Sequence, residues 1–232
     1  MENKYRHEYK YLVSDTEIAI IESQINKILK KDNHVNVKGF YSIKSLYFDD
    51  YYDNNLLDNI DGTNNRKKFR IRIYNNDYNM IYLELKIKTN GKTLKYKEQI
   101  TKEQCEQIIN GDYLKDIGNQ GELLKRLTEE MMSDRLMPKV IVIYDRVPYV
   151  SKNGNVRVTF DKNISSSYDI KLFLSNNIPK RPIMMRNINL LEVKWDDFLQ
   201  DEIYSTLSIS GLQQTAYSKY SLCRIFGNKG VI

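Results

Sequence analysis

The sequence of 232 residues predicts an α+β fold in which about eight mainly antiparallel strands form a closed tunnel, with helices packed outside. The first observation behind this prediction is that charged and apolar residues alternate in 69–73, 83–88, 156–161 and 191–195. Successive side chains of a strand point to opposite faces, so each segment has a charged face and an apolar face. The second observation is that helical patterns lie between the strands and can cover the apolar faces. The charged faces are then left to line the interior.

The elements of the first third of the chain are strand, helix and strand. Residues 5–13 predict the first strand. Ser14 and Glu17 form a capping box, and the helix that it begins carries isoleucines at helical spacing, Ile18, Ile21, Ile25 and Ile28. Residues 42–49 predict the second strand, which ends in an acidic and aromatic turn.

The middle of the chain predicts a hairpin, a further strand and a helix. The hairpin joins residues 67–75 to 80–88 through an asparagine-rich turn, and a strand near 93–100 follows. Thr101 and Gln104 form a second capping box, whose helix ends at Asn110-Gly111.

The last part of the chain predicts another helix, marked by Leu123, Leu124, Leu127 and Met131, followed by three strands and two helical patterns. The strands are 139–147, 155–161 and 188–195, and the helical patterns are 197–208 and 212–226. The total is about eight strands and four or so helices.

The composition is typical of a globular protein, with 41 % hydrophobic and 28 % charged residues. Four prolines and no Pro/Gly/Ser-rich linker predict one domain over residues 1–232. No run approaches the roughly 18 apolar residues that a membrane helix needs, and the first residues lack the apolar core of a signal peptide. Cys105 and Cys223 have no metal-type spacing and are expected to be buried thiols. These features indicate a cytoplasmic protein.

The net charge of +6 favours an anionic partner, such as a nucleotide, polyphosphate, nucleic acid or anionic lipid. The 18 tyrosines form no ladder interleaved with basic residues, the pattern that single-stranded nucleic acid favours. We therefore expect no nucleic acid partner. Closure of the sheet would turn about ten cations inward, and even one unpaired buried ion costs several kcal/mol. The interior is therefore expected to be wet and built to hold a strongly anionic ligand.

Eight short motifs occur in a fixed order along the chain. They are Arg6-His7-Glu8-Tyr9-Lys10-Tyr11, Ser45-Leu46-Tyr47-Phe48-Asp49, Arg70-Ile71-Arg72, Leu83-Glu84-Leu85-Lys86, Tyr144-Asp145-Arg146, Arg157-Val158-Thr159-Phe160-Asp161, Leu191-Glu192-Val193-Lys194 and Ser218-Lys219-Tyr220. Each motif alone is common, but the ordered set resembles the polyphosphate polymerase domain of the vacuolar transporter chaperone (VTC) family, within the triphosphate tunnel metalloenzymes. The resemblance extends from Arg6 to about Arg224.

The resemblance implies a triphosphate tunnel fold with a basic lining. It implies that the catalytic residues are Lys10, Arg70, Arg72, Lys86, Arg146 and Arg157. It implies that further substrate contacts come from Arg6, Lys97, Tyr144, Lys194, Ser218 and Lys219. Lys95 and Lys97 share a face, and Lys97 is the one chosen here. The cofactor would be a divalent metal, Mn²⁺ or Mg²⁺, with Glu192 as the main ligand and Glu8 as a second one.

Some of these residues have simpler interpretations. Arg70 and Arg72 fit the exposed face of an edge strand. Glu192 fits a salt-bridge partner of Lys194, and Glu8 also fits a structural counter-charge.

One departure from the superfamily bears on the reaction. Hydrolases and cyclases of this class typically begin with Glu-x-Glu-x-Lys, whereas the same strand face here carries Arg6, Glu8 and Lys10. Arginine in place of the first glutamate removes a metal-ligand candidate and adds a phosphate-binding group, which matches the polymerase branch.

The resemblance therefore implies a polyphosphate polymerase that transfers the γ-phosphate of ATP to a growing polyphosphate chain. The alternatives are an inorganic triphosphatase in the same tunnel and a non-catalytic module that binds polyphosphate or nucleotide. Coupling of synthesis to transport would require a separate membrane-protein partner. The oligomeric state stays open.

Overall fold

The computed structural model describes residues 6–112, 121–151, 153–209 and 211–227, which form a curled antiparallel sheet surrounded by helices. The strands are β1 (His7–Ser14), β2 (Lys30–Lys31), β3 (Tyr41–Asp49), β4 (Arg66–Tyr74), β5 (Ile81–Thr89), β6 (Lys92–Ile100), β7 (Met137–Val150), β8 (Arg157–Ser167), β9 (Arg181–Pro182) and β10 (Ile188–Trp195). The helices are α1 (Asp15–Ile25), α2 (Asn54–Ile60), α3 (Lys102–Asn110), α4 (Glu122–Ser133), α5 (Asp201–Ile209) and α6 (Lys219–Gly227).

The eight long strands follow the order β1-β10-β8-β7-β3-β4-β5-β6, and every pair of neighbours is antiparallel. The short strands β2 and β9 pair with β7 and β8. The two edge strands meet at one bridge, where the amide of Arg6 donates to the carbonyl of Thr93 over 3.3 Å. The predicted fold class is confirmed, and within the described residues the two edges of the sheet are joined only at this bridge.

Both predicted capping boxes are present. Ser14 Oγ accepts the amide of Glu17, whose carboxylate accepts the amide of Ser14, at the start of α1. Thr101 and Gln104 make the same reciprocal pair at the start of α3. Local hydrogen bonds therefore fix the points at which the chain leaves β1 and β6 and turns onto the outside of the sheet.

Two apolar cores lie on the outer surface of the sheet. One packs α3 and α4 against β3 to β6 and contains Phe69, Ile71 and Leu83, while the other packs α1 and α5 against β1, β8 and β10. In the strands these apolar residues alternate with the charged ones, as predicted, so the charged face is the interior.

The helix α6 is an exception to the predicted placement of helices outside the sheet. Its residues Tyr220 and Cys223 are buried in a third core with Ile43, Val140 and Val142, which share the inner face with the charged residues. Because both faces of β3 and β7 carry apolar residues along part of their length, the sheet needs cover on both sides there. One stretch of the interior is therefore packed and dry, which corrects the prediction of a wholly wet interior.

Several boundaries differ from the prediction. The helix α2 was not predicted, and β8 continues beyond the predicted end at residue 161 to Ser167. The last two helices begin at Asp201 and Lys219, later than predicted. The predicted start of the first strand, residue 5, lies outside the described residues.

Among the described residues, no helix has the length and apolar character needed to cross a bilayer.

Candidate functional site

The strands β4, β5 and β6, all within the described residues, turn eight basic side chains toward the interior and only one carboxylate, that of Glu84. The register of the sheet places these cations side by side: Arg66, Lys68, Arg70, Arg72, Lys86, Lys88, Lys95 and Lys97. This part of the lining therefore has a large excess of positive charge.

Glu84 is the counter-charge for three of these cations. Its carboxylate is almost fully buried, at 1 % exposed, and Oε2 accepts Arg70 Nε over 2.7 Å. Arg72 Nη1 lies 3.8 Å from the same oxygen, and Lys95 Nζ lies 2.5 Å from Oε1. The two predicted arginines therefore lie together, which excludes the edge-strand interpretation because β4 has a neighbour on each side.

A second cluster surrounds Asp161 and Glu192. Arg146 donates to both oxygens of Asp161, over 2.6 and 2.7 Å, and to Glu192 Oε2 over 3.1 Å. Lys219, at the start of α6, places Nζ 2.6 Å from Glu192 Oε1 and 2.5 Å from Asp161 Oδ2. Lys194 Nζ donates to Glu192 Oε2 over 2.7 Å. Three cations from three elements thus share two buried carboxylates.

Glu8 links the two ends of the sheet at the seam. It accepts Lys86 Nζ over 2.7 Å, and Lys194 Nζ lies 3.2 Å from its other oxygen. Lys10 Nζ is more distant from Glu8, at 3.9 Å, and donates to the carbonyl of Tyr217 over 3.0 Å. Since β1 meets the edge strand β6 and β5 lies next to β6, the Lys86–Glu8 ion pair spans the seam between the two ends of the sheet.

Two buried tyrosines connect these clusters. The hydroxyl of Tyr144 lies 3.3 Å from Arg72 Nη2, and its ring faces Arg146 and Lys219, whose charges are 5.3 and 5.0 Å from the ring centre. The hydroxyl of Tyr47 accepts Arg70 Nη1 over 3.0 Å. Tyr144 therefore lies between the predicted arginines, as expected of a group that would help to bind a phosphate.

The carboxylates of the interior are held in the ionised form. Burial alone would raise the pKa of Glu192, but Lys194 and Lys219 hold the pKa well below its usual value. Burial likewise opposes ionisation of Glu84, and the neighbouring Arg70 is the main cause of its lowered pKa.

Burial acts in the opposite direction on the lysines. It is the largest cause of the lowered pKa of Lys68 and of Lys95, each to about 7, and of Lys86, to about 8. Nearby cations lower these pKa values further. The interior of the free protein is therefore an environment that disfavours further positive charge and favours an anion.

Two of the predicted residues lie outside the clusters. Arg157 donates to the hydroxyl of Tyr41 over 2.7 Å and to Asp32 over 3.0 Å. Arg6 Nε lies 2.9 Å from Asp196 Oδ1, beside the bridge that closes the sheet. The Arg6 side chain thus links the start of β1 to the residue after β10, while its backbone amide makes the bridge to Thr93.

Two more predicted residues have partners of a different kind. Lys97 Nζ lies 3.4 Å from the centre of the Tyr82 ring, so Lys95 rather than Lys97 contacts the charged clusters. Ser218 precedes α6, and its hydroxyl accepts Asn59 Nδ2 over 3.2 Å and the amide of Ser221 over 3.4 Å.

The fit of a divalent metal depends on Glu192 and Glu8, whose oxygens suit Mg²⁺ and Mn²⁺. Among the described residues, no group of three or more His, Cys, Asp or Glu side chains could hold a metal ion. The oxygens of Glu192 already contact Arg146, Lys194 and Lys219. The free tunnel therefore offers carboxylate donors but no preassembled metal site in this part of the chain.

Sequence reasoning missed two members of the site. Asp161 was not among the predicted site residues, and it pairs with Arg146 and Lys219. Asp49 accepts the amides of Asn55 and Leu56 and the hydroxyl of Tyr220, so it anchors α2 and α6 together. The placement of Asp161 and Asp49 on the inner face by strand alternation was the available signal.

Comparisons with known proteins agree with this arrangement. A candidate adenylate cyclase from Bacillus halodurans is 15 % identical with a TM-score of 0.54, covering 94 % of this chain and 96 % of that one. A Hippeastrum protein described as a candidate adenylyl cyclase with a dominant triphosphatase activity is 12 % identical with a TM-score of 0.57, covering 96 % of each chain. A candidate adenylate cyclase from Vibrio parahaemolyticus is 8 % identical with a TM-score of 0.54, covering 96 % and 99 %. At these identities the similarity establishes the fold alone.

No curated protein matches the sequence. The sequence profile of the VTC domain matches residues 5–225, nearly the whole chain. The expected family is therefore confirmed, together with the triphosphate tunnel fold, and this chain belongs to the VTC domain family.

Proposed function

We propose that this protein is a metal-dependent polyphosphate polymerase, which transfers the γ-phosphate of ATP to a growing polyphosphate chain inside the tunnel. The observation that carries the proposal is the set of cations Arg70, Arg72, Arg146 and Lys219, which converge from three elements on one interior. Membership of the VTC family supports polyphosphate as the ligand.

The chemistry needs no protein nucleophile. A terminal oxygen of the polyphosphate chain attacks the γ-phosphorus of ATP, the bond between this phosphorus and the β–γ bridging oxygen breaks, and ADP leaves. Phosphoryl transfer places charge on the oxygens of a loose transition state, so positioning and electrostatic stabilisation provide most of the catalysis. No side chain has to form a covalent bond in this reaction.

The arginines are suited to orient the reacting phosphates. Arg70, Arg72 and Arg146 offer planar, permanently charged forks that match phosphate oxygens, whereas Lys86 and Lys219 supply point charges. The hydroxyl of Tyr144 already lies near Arg72 and could donate to the same phosphate. The carboxylates already hold these cations in place in the free protein. A phosphate that enters the tunnel replaces the carboxylates as the partner of the cations.

A divalent cation, Mn²⁺ or Mg²⁺, would neutralise phosphate oxygens when bound and would stabilise the leaving group. Glu192 is the residue expected to hold it, with Glu8 as a second ligand. Since both carboxylates are paired with lysines in the free protein, phosphate oxygens would supply the remaining ligands.

An inorganic triphosphatase is the second candidate, because a protein of the same fold is described with a dominant triphosphatase activity. In that reaction water replaces the polyphosphate chain as the acceptor. Arg6 at the position of the first glutamate of the hydrolase motif favours the polymerase. We also propose that the protein acts in the cytoplasm, where ATP is available. We expect it to have no nucleic acid partner.

The test is incubation of the purified protein with ATP and Mn²⁺ or Mg²⁺, followed by phosphorus NMR and a polyphosphate-stained gel. Long-chain polyphosphate together with ADP would support the polymerase. Orthophosphate as the only product from ATP or tripolyphosphate would make the protein a hydrolase. Tripolyphosphate binding without turnover under either metal would leave a binding module and would refute both enzymes.

A further inference from the structure

The end of the tunnel next to α2, called here the α2 end, carries cations that the proposed reaction does not use. Arg66 and Lys88 are opposite each other in the β4–β5 register, and Lys68 and Lys86 form the next pair on the same face. Like charges that are directly opposite destabilise a sheet. A bound anion would offset the repulsion within these two successive pairs.

Three of these four cations have no carboxylate partner in the part of the chain that the structure describes. Among the described residues, no carboxylate oxygen lies within 4.0 Å of Arg66, Lys68 or Lys88, although Lys86 pairs with Glu8. Arg66 donates to the carbonyl of Asp58 over 3.2 Å. These residues therefore differ from the central arginines, each of which is paired with a carboxylate.

The environment of Lys68 shows how close the positive charges are. Its ammonium lies 4.6 Å from the centre of the Tyr220 ring. Its pKa is lowered to about 7, first by burial and then by Arg66, Lys86 and Lys10, whose effect exceeds the opposite one of Asp49. A buried lysine among three other cations is in a position where an anion would be stabilised strongly.

Protection of a sheet edge does not explain the pattern. Basic residues on edge strands prevent pairing with other chains. However, β4 and β5 are inner strands with a neighbour on each side, and these side chains face the interior.

We propose that Arg66, Lys68 and Lys88 form a second anion subsite at the α2 end, which holds the phosphates of a polyphosphate chain beyond those at the central arginines. The inference rests on the proposed function. Arg66 lies four residues from Arg70 along β4, a distance of about 13 Å for an extended strand. A triphosphate held at Arg70 does not reach Arg66, whereas a long polyphosphate chain does. The subsite thus distinguishes long chains from short ones and gives the tunnel a direction.

The test compares the binding of tripolyphosphate and of long-chain polyphosphate to the full chain and to K68M/K88M, by calorimetry at one salt concentration. The matched control is K67M, because Lys67 is the neighbouring residue of β4 but faces outward, where it pairs with Glu130 of α4 over 2.8 Å. We expect K68M/K88M to bind long-chain polyphosphate about tenfold more weakly or worse. We expect its affinity for tripolyphosphate to stay within about twofold, as should both affinities of K67M.

Loss of affinity for both ligands to the same extent would overturn the subsite, because Lys68 and Lys88 would then only add to the general field of the tunnel. Unchanged affinity for both would overturn it as well. If the wild-type protein bound neither ligand, the proposed function would fail too, so the two failures are distinguishable. Thermal unfolding of K68M/K88M checks its fold, and removal of the repulsion should leave its melting temperature unchanged or higher. If that variant does not fold, K88M alone provides the same comparison.

Discussion

Replacement of Glu84 by glutamine should destabilise the free protein while strengthening its binding of phosphate. Glu84 is the carboxylate that Arg70, Arg72 and Lys95 share, and it is buried. Loss of one partner of a buried ion pair costs about 3–5 kcal/mol. The lower value applies here because the Lys95 side chain is 41 % exposed and can turn toward water. For a chain of this length, 3 kcal/mol corresponds to a fall of roughly 6–12 °C in melting temperature.

Tripolyphosphate should reverse much of this loss. A ligand at a hundred times its dissociation constant stabilises the folded state by about 2.7 kcal/mol. The freed arginine and lysine donors should also raise the affinity of Glu84→Gln for tripolyphosphate, by about tenfold if the gain is 1.4 kcal/mol. The assay is thermal unfolding with and without ligand, together with calorimetric binding.

The control variant is Glu106→Gln, since Glu106 is an exposed residue of α3 that pairs with Lys102 at 3.7 Å. Its stability should stay within about 0.5 kcal/mol of the wild type. A melting temperature of Glu84→Gln equal to that of the wild type would refute the reasoning, because the interior cations would then need no counter-charge. A ligand-induced shift no larger than in the wild type would refute the second half.

Three further predictions concern the effect of pH, the metal ligand and the ion pair between Arg6 and Asp196. The affinity for sulfate, whose charge is constant in this range, should fall as the pH rises from about 6 to about 8. Lys68 and Lys95, each with a pKa lowered to about 7, lose their positive charge over that range. Calorimetry at several pH values measures the affinity, and a pH-independent affinity would contradict the prediction. Glu192→Gln should lower both the melting temperature and the Mn²⁺-dependent turnover, since it removes the counter-charge of three cations. Loss of turnover at an unchanged melting temperature would instead indicate that Glu192 acts only as a metal ligand. Arg6→Ala should cost about 1 kcal/mol or less, as expected for a partly exposed ion pair with Asp196, and should speed amide exchange at the start of β1, where this strand pairs with the end of β10. Weaker phosphate binding with unchanged exchange would show that Arg6 serves the ligand rather than the pairing of these two strands.

The strands and most helices could be predicted because their signals are local. The alternation in β4, β5 and β10 fixes which face is charged, and the capping boxes at Ser14 and Thr101 fix two helix starts. The position of α6 could not be predicted in this way. Either side of the sheet could bury the apolar side chains of this helix. Only the packing of Tyr220 and Cys223 against the inner face shows on which side the helix lies. The continuous apolar run in 140–143 was the one available sign that both faces there are covered.

The candidate site was predictable as a set of cations but not as a set of pairs. Strand alternation places Arg70 and Arg146 toward one interior, and the structure brings them together with Lys219 of α6. Which carboxylate meets which cation depends on contacts between strands that are not paired, such as Lys86 with Glu8. Such contacts depend on the curvature of the sheet, which has no local signal in the sequence. The roles of these residues in catalysis stay predictions.

The single bridge between Arg6 and Thr93 has a consequence for the solubility of the protein. The edge of a sheet is a template for aggregation, because its free amides and carbonyls can pair with a strand of another molecule. In this chain β1 and β6 curl toward each other, so each edge shields the other, and the lysines of β6 repel a third strand. At the bridge itself, a strand from another molecule could pair with either edge only by displacing the other edge. The same curvature that assembles the phosphate-binding interior therefore also protects the protein from its own neighbours.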